Sequence, residues 1–250
     1  MTKRDFHIHT TFSDGKFTPE ELLEYGLSIG MEHIGFSDHS YTDFDESYCL
    51  SIEGEEEYKK EILRLRRKYK DKIKVYLGIE QDYYSAKKAE GYDYKIGSVH
   101  YVKAGDEYIP VDKSAADLRE AVDKYFDGDP ISFCVEYFKT IGDVVEKTDC
   151  DIIGHFDLCI KFNEKDPFID ENDPRYVKAW KDAVDKLVSE GRYFEINTGV
   201  IPRGYRSNPY PSSPVFEYIR ERGGKFIFSS DSHKLTLCHG FDEWKEKLGL

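Results

Sequence analysis

The chain has 250 residues, of which 34% are charged and 15% aromatic, and its formal net charge is −13 at pH 7. Mean hydropathy is −0.64, and no apolar run approaches the ~18 residues that a membrane-crossing helix needs. So acidic a chain offers no basic track for nucleic acid, and an anionic substrate would need strong local positive charge.

Five cysteines (Cys49, Cys134, Cys150, Cys159 and Cys238) are scattered without any Cys-x-x-Cys spacing. They are read as free thiols rather than as a disulfide framework or a zinc ribbon. The length is that of one α/β barrel, so a single domain over residues 1–250 is expected. The opening Met-Thr-Lys-Arg leads straight into a strand with no signal segment, which makes the cytoplasm the expected location.

Strand and helix patterns alternate along the chain. A first strand is expected over 5–9, followed by a loop over 10–16. Thr18-Pro19-Glu20-Glu21 then reads as a helix start, with Thr as N-cap, Pro at the first turn and Glu three residues on. That helix runs to a stop at Gly30. A second strand covers 33–37, and an acidic loop leads into a charged helix over 53–69. Strands three and four fall at 74–80 and 94–99. Helices over 115–126 and 131–146 are separated by Asp127-Gly128-Asp129-Pro130. Strand five covers 151–153, a helix 174–189, strand six 193–197, a helix 213–222 and strand seven 225–229. Such alternation implies parallel strands with right-handed crossovers. Seven units at this length predict a distorted (β/α)7 TIM-like barrel. An open doubly wound sheet is the alternative, but no glycine-rich phosphate loop follows the first strand.

Chemistry gathers where these strands end. Strand one carries His7 and His9, which project together because residues two apart share a strand face, and Asp14 lies in its loop. Strand two ends in Asp38-His39, strand three in Glu80, strand four in His100 and strand five in His155. Strand six ends in Glu195-Ile196-Asn197 and strand seven in Asp231-Ser232-His233. In an α/β barrel these carboxyl ends form the active face. Six of the eight histidines thus converge with the carboxylates Asp14, Glu80 and Asp231. So many ionisable groups on one face are costly unless cations offset them.

Imidazole and carboxylate donors without thiolate suit Zn, Mn or Fe, and nine donors suit two or three ions. Three divalent ions against three carboxylates leave a local charge of about +3, enough to draw a phosphate dianion despite the acidic surface. His33 and His239 lack the placement, and Asp38 is read as orienting a ligand rather than being one. A serine triad is disfavoured by the absence of a Gly-x-Ser-x-Gly elbow. The basic cluster from Lys59 to Lys68 lies among glutamates and reads as a solvated helix face.

With these residues in place, the chain resembles the PHP (polymerase and histidinol phosphatase) superfamily, and within it the histidinol-phosphate phosphatases. The superfamily motifs are Phe6-His7-Ile8-His9-Thr10, Ser37-Asp38-His39, Gly78-Ile79-Glu80, Gly97-Ser98-Val99-His100, Ile153-Gly154-His155-Phe156-Asp157, Glu195-Ile196-Asn197-Thr198 and Ser230-Asp231-Ser232-His233. The narrower likeness rests on Glu195 to Thr198 followed by Arg203 and Pro209-Tyr210-Pro211-Ser212.

The resemblance implies a first metal bound by His7, His9, Glu80 and Asp231, and a second by Glu80, His100 and His155 with Glu80 bridging. A third would take Asp14, His39 and His233. Many relatives carry histidine where this chain has Asp14, a swap that keeps a ligand and adds negative charge. The implied reaction is hydrolysis of L-histidinol phosphate in histidine biosynthesis, by a metal-bridging hydroxide attacking phosphorus. Glu80, Asp231 and His233 would act in catalysis, Arg203 would clamp the phosphate, and Lys161 and Arg206 are further substrate-binding candidates. A phosphotyrosine phosphatase or nucleotide phosphodiesterase of the same superfamily, or a non-catalytic metal-binding module, are the competing expectations. The partner is a small phosphate monoester, with neither nucleic acid nor membrane.

Overall fold

The computed structural model describes residues 3–250. Seven strands lie in the order β1 (Arg4–Asp5), β2 (His33–Phe36), β3 (Lys74–Asp82), β4 (Tyr94–Ser98), β7 (Ile152–Ile153), β8 (Tyr193–Asn197) and β9 (Lys225–Ser229). Every neighbouring pair is parallel. The two edges meet at the carboxyl end, where His9 N donates to Ser232 O at 2.9 Å and Ser232 N to His7 O at 3.0 Å. The sheet is therefore a nearly closed, distorted seven-stranded barrel, as the alternation predicts.

The helices α1 (Pro19–Ser28), α2 (Ile52–Lys68), α3 (Ala115–Tyr125), α4 (Pro130–Gly142), α5 (Val144–Thr148), α6 (Pro174–Ser189), α7 (Ser213–Glu221) and α8 (Phe241–Leu248) flank it. The expected start of α1 is built as a reciprocal cap: Glu21 N donates to Thr18 Oγ1, and Thr18 N donates to the Glu21 carboxylate. Several basic residues of α2 form surface ion pairs, Lys59 with Glu55 and Arg64 with Glu61 and Glu20. No helix among the described residues is long and apolar enough to cross a membrane.

Four features depart from expectation. The first strand stops at Asp5 instead of running to His9. Beyond it, Ile8 N donates to Ser37 Oγ and His7 N to the buried Asp5 carboxylate, which also accepts from Ser230 N and Cys238 N. The helix expected over 131–146 breaks at Asp143 into α4 and α5. An antiparallel hairpin, β5 (Tyr101–Ala104) and β6 (Glu107–Pro110), stands apart from the barrel and was not foreseen; neither was α8. The hairpin turns at Gly105, whose φ of +62° suits a residue without a Cβ.

Two apolar layers clothe the barrel, one beneath α1 and α2 and one beneath α4, α6 and α7. Inside it, Tyr94, Ile96 and Ile152 pack with Phe6, Tyr76 and Ile227 to form a plug. Tyr94 needs room to lie there. A Cβ at Gly78 would sit 2.1 Å from its ring, and one at Gly35 would sit 2.5 Å from its hydroxyl, which donates to Phe6 O at 2.6 Å. Gly78→Ala is accordingly expected to cost about 3 kcal/mol of stability through overpacking, measured by denaturant unfolding. A loss below a few tenths would show that the ring moves freely. The plug floors the barrel, and polar residues occupy the strand ends above it.

Candidate metal centre

Strand ends and the loops that follow them deliver the nine expected residues, and all nine meet at the carboxyl mouth. The centre is Glu80, at the seventh residue of β3 and fully buried. Its Oε2 lies 2.9 Å from His39 Nδ1, 3.2 Å from His7 Nε2 and 3.5 Å from His9 Nε2. Its Oε1 lies 2.9 Å from His155 Nε2 and 3.5 Å from His100 Nε2, and accepts from Ser98 Oγ at 2.6 Å. Asp231 Oδ1 stands 3.2 Å from His9 Nε2 and 3.8 Å from His7 Nε2. On the outer side, Asp14 Oδ2 is 3.1 Å from His233 Nε2, and Asp14 Oδ1 is 3.7 Å from His39 Nε2.

Three donor sets are close enough to share an ion: His9, Asp14, His39 and His233; His7, His9 and Glu80; and His39, Glu80 and His100. The expected grouping of Asp14, His39 and His233 is thus assembled, with His9 joining it. His39 is not confined to that group, since its Nδ1 faces Glu80 while its Nε2 faces Asp14. His155 reaches the second group through Glu80.

Whether cations fit can be judged from the donors themselves. His7 Nε2, both ring nitrogens of His9, Glu80 Oε2 and His155 Nδ1 are buried without a hydrogen-bond partner. Orphaned polar atoms at this density are expensive, and a divalent ion between them satisfies several at once. Burial, with His233 and His39 stacked near it, pushes the His9 imidazole down to about 3. It is therefore neutral, the form in which imidazole ligates. Burial would raise the Glu80 carboxyl, but His7, His39 and His100 around it hold it well below the usual range. Burial would likewise lower His100, yet Glu80 and Asp82 hold it up to about 9. The residues fit two or three divalent cations.

A second ring of carboxylates sets the donors' orientation, and the sequence reading passed most of it by. Glu195, fully buried, accepts from His7 Nδ1 at 2.5 Å and from the His155 backbone N–H at 2.7 Å. It also accepts from Ser229 Oγ and Asn197 Nδ2. With Nδ1 so engaged, His7 is left to present Nε2 to the centre. Asp82 receives the N–H and Nδ1 of His100 in the same way. Asp38, expected to orient a ligand, does so at one remove: it accepts from Thr10 and Ser13 and so pins the loop that carries Asp14. The available signal was position, since Glu195 and Asp82 both lie at or near strand ends.

A cavity of about 810 Å³ opens above the centre, and His39, His100, His155, Asp231 and His233 lie in its floor. Arg203 and Lys161, two of the substrate-binding candidates, line it. The guanidinium of Arg203 rests on Asp231, with Nη2 2.7 Å from both the carboxylate Oδ2 and the backbone carbonyl. Asp231 sits at φ 46°, a left-handed conformation costly for a side chain with a Cβ. Arg203 thus buttresses a strained donor and also faces the cavity. Lys161, mostly buried, donates to the Asp112 carboxylate at 3.0 Å. Arg206 stands apart from the residues that line the cavity: its Nη1 donates to Ile160 O, and its guanidinium lies over the ring of Tyr210, which does line it.

Fold and centre define an α/β barrel with a candidate metal-binding centre at the carboxyl ends of its strands. The PHP domain model matches residues 5–199, and the chain belongs to the PHP domain family. It is 26% identical to the histidinol-phosphatase of Lactococcus lactis, over 93% of this chain and 85% of that protein. It is 35% identical to an uncharacterized protein of Methanocaldococcus jannaschii, over 98% of this chain and 88% of the other. A crystal structure of Lactococcus lactis histidinol phosphate phosphatase, complexed with Zn, L-histidinol and phosphate, superposes with a TM-score of 0.73 at 23% identity, covering 100% of this chain and 94% of that one. That likeness speaks to the fold.

Proposed function

We propose that this protein is a single-domain histidinol-phosphatase, hydrolysing L-histidinol phosphate to L-histidinol and inorganic phosphate in the cytoplasm as a step of histidine biosynthesis. The observation that carries the reading is the convergence of imidazole and carboxylate donors, several with orphaned atoms, on Glu80 beneath an open cavity. Relatives named as histidinol-phosphatases or probable histidinol-phosphatases at 24% to 28% identity, matched over 86% to 94% of this chain, supply the substrate.

Two or three divalent ions, Zn among the candidates with Mn and Fe, would be held by His7, His9, Glu80 and Asp231, by Glu80, His100 and His155, and by Asp14, His39 and His233. Bound there, they would supply an activated water and offset charge on the phosphate. Phosphate-monoester hydrolysis is among the slowest uncatalysed reactions, so a heavily charged site is chemically reasonable.

The chain's own contribution is orientation and charge. Glu80 would tie two donor groups together. Arg203 would hold Asp231 in place and, from the same position, offer its cavity-facing edge to phosphate oxygens. Lys161, kept beside the cavity by Asp112, would add a second positive charge. Asp231 and His233 line the cavity and would act on the reacting phosphate.

The test is phosphate release from L-histidinol phosphate against a panel of phosphate monoesters, diesters and a phosphotyrosine peptide, with metal analysis of the same preparation. Histidinol phosphate is expected to lead in kcat/KM, and prolonged chelation to abolish turnover until Zn or Mn is restored. A lead for the phosphotyrosine peptide or the diester would overturn the substrate. Full turnover in a preparation free of metal would overturn the metal reading.

A further inference from the structure

Two segments outside the barrel form one wall of the cavity, and nothing in the metal chemistry calls for their composition. One is the loop after β2, carrying Phe44, Asp45 and Tyr48; the other is the hairpin β5–β6, carrying Tyr101 and Tyr108. All five line the cavity. They clasp each other: the Phe44 and Tyr108 rings stack at 3.9 Å and 7°, Tyr101 meets Phe44 edge-on at 4.8 Å, and the Tyr101 hydroxyl donates to Asp45 Oδ2 at 2.7 Å. Asp45 in turn accepts from Ser47 N and Ser47 Oγ, so the loop is fixed before any ligand arrives.

Within this wall Tyr48 is the ring beside the metal donors. Its centroid lies 4.9 Å from His39, 6.2 Å from His100 and 6.2 Å from Tyr101. Phe44 and Tyr108 are largely spent on each other, and Lys103 covers Tyr108 from 5.0 Å. Tyr48 is spanned between the clasp and the centre instead. A phosphate held over His39 and His100 would direct its ester group past this ring.

We propose that Tyr48 is a specificity-determining residue, contacting the flat aromatic part of the phosphate ester's organic group while the preformed clasp of Phe44, Asp45, Tyr101 and Tyr108 holds it in place. This rests on the phosphatase reading of the centre, and it names which residue reads the substrate. Aromatic contact gives selectivity for a planar ring over an aliphatic group of similar size, and the Asp45 carboxylate close by favours a ring that carries positive charge.

The experiment compares the wild-type protein with Tyr48→Phe and Tyr48→Leu, each checked for equal metal content. Two readouts are taken: kcat and KM for L-histidinol phosphate, and inhibition constants for benzylphosphonate and for an alkylphosphonate of similar size. Tyr48→Leu is expected to raise KM about five- to tenfold with a much smaller change in kcat, and to shrink the preference for benzylphosphonate by the same factor. Tyr48→Phe should keep both near wild type. An unchanged benzyl preference in Tyr48→Leu, or an equal loss in Tyr48→Phe, would overturn the assignment. The phosphonate ratio does not depend on the natural substrate. A protein that ignores histidinol phosphate yet loses benzyl selectivity in Tyr48→Leu would therefore sink the proposed function and leave this residue's role standing.

Discussion

Glu80→Gln is expected to lower kcat/KM for the phosphatase reaction by roughly 10³-fold or more and to strip most of the bound metal. Glutamine preserves the shape of the side chain, so packing should hold; what changes is charge and donor pattern. In the wild-type protein one buried carboxylate faces five imidazoles, at 2.9 to 3.5 Å. An amide would turn an N–H₂ toward some of those nitrogens and remove the negative charge that helps hold two adjacent cations. The effect should exceed the 10- to 100-fold typical of residues that only support a ligand. Metal analysis and steady-state kinetics check it together. Retention of full metal and full rate would refute the place given to Glu80 at the middle of the centre.

The second large effect belongs to a residue that touches no expected ion. Glu195 accepts four hydrogen bonds, from His7 Nδ1, Ser229 Oγ, the His155 backbone and Asn197 Nδ2. A glutamine has only one oxygen to accept with, so Glu195→Gln leaves two of those buried donors facing an N–H₂ group. Burial would raise the Glu195 carboxyl, but the His7 imidazole beside it brings it below its ordinary value, so it is ionised at neutral pH and offers all four acceptor directions. Its loss should free the His7 ring to take the wrong tautomer and loosen His155 at the same time. Metal affinity is expected to fall about 10- to 100-fold. At saturating metal most of the rate should return. A titration of metal-free protein with Zn, followed by activity, separates the two. Unchanged affinity would mean that His7 is held by packing alone.

These two residues also show where reading the sequence stopped. Glu80 was legible because it lies near the end of an apolar strand and is followed by comparable donors near the ends of the other strands. Glu195 ends a strand too, but spacing cannot say whether a carboxylate faces the ions or the histidines behind them. The same limit applies to the arginines. Arg203 and Arg206 lie three residues apart in one loop; one reaches Asp231 and the cavity, the other turns behind Tyr210. Tyr48 offered no signal at all until the hairpin after β4 came to rest against its loop.

Taken alone, the sequence determined the order of the seven barrel strands and of most flanking helices, the parallel barrel, and the nine imidazole and carboxylate residues gathered at its carboxyl ends. Those follow from local rules: a period of two or 3.6 residues, capping chemistry at Thr18 and Pro19, and breaks at glycine and proline. Tertiary structure decided which donors share a neighbour, why β1 stops at Asp5, and which side chains wall the cavity. Those outcomes depend on barrel curvature and on contacts between residues as far apart as His7 and Glu195. No local pattern encodes such distances, because they exist only once the seven strands have closed on one another.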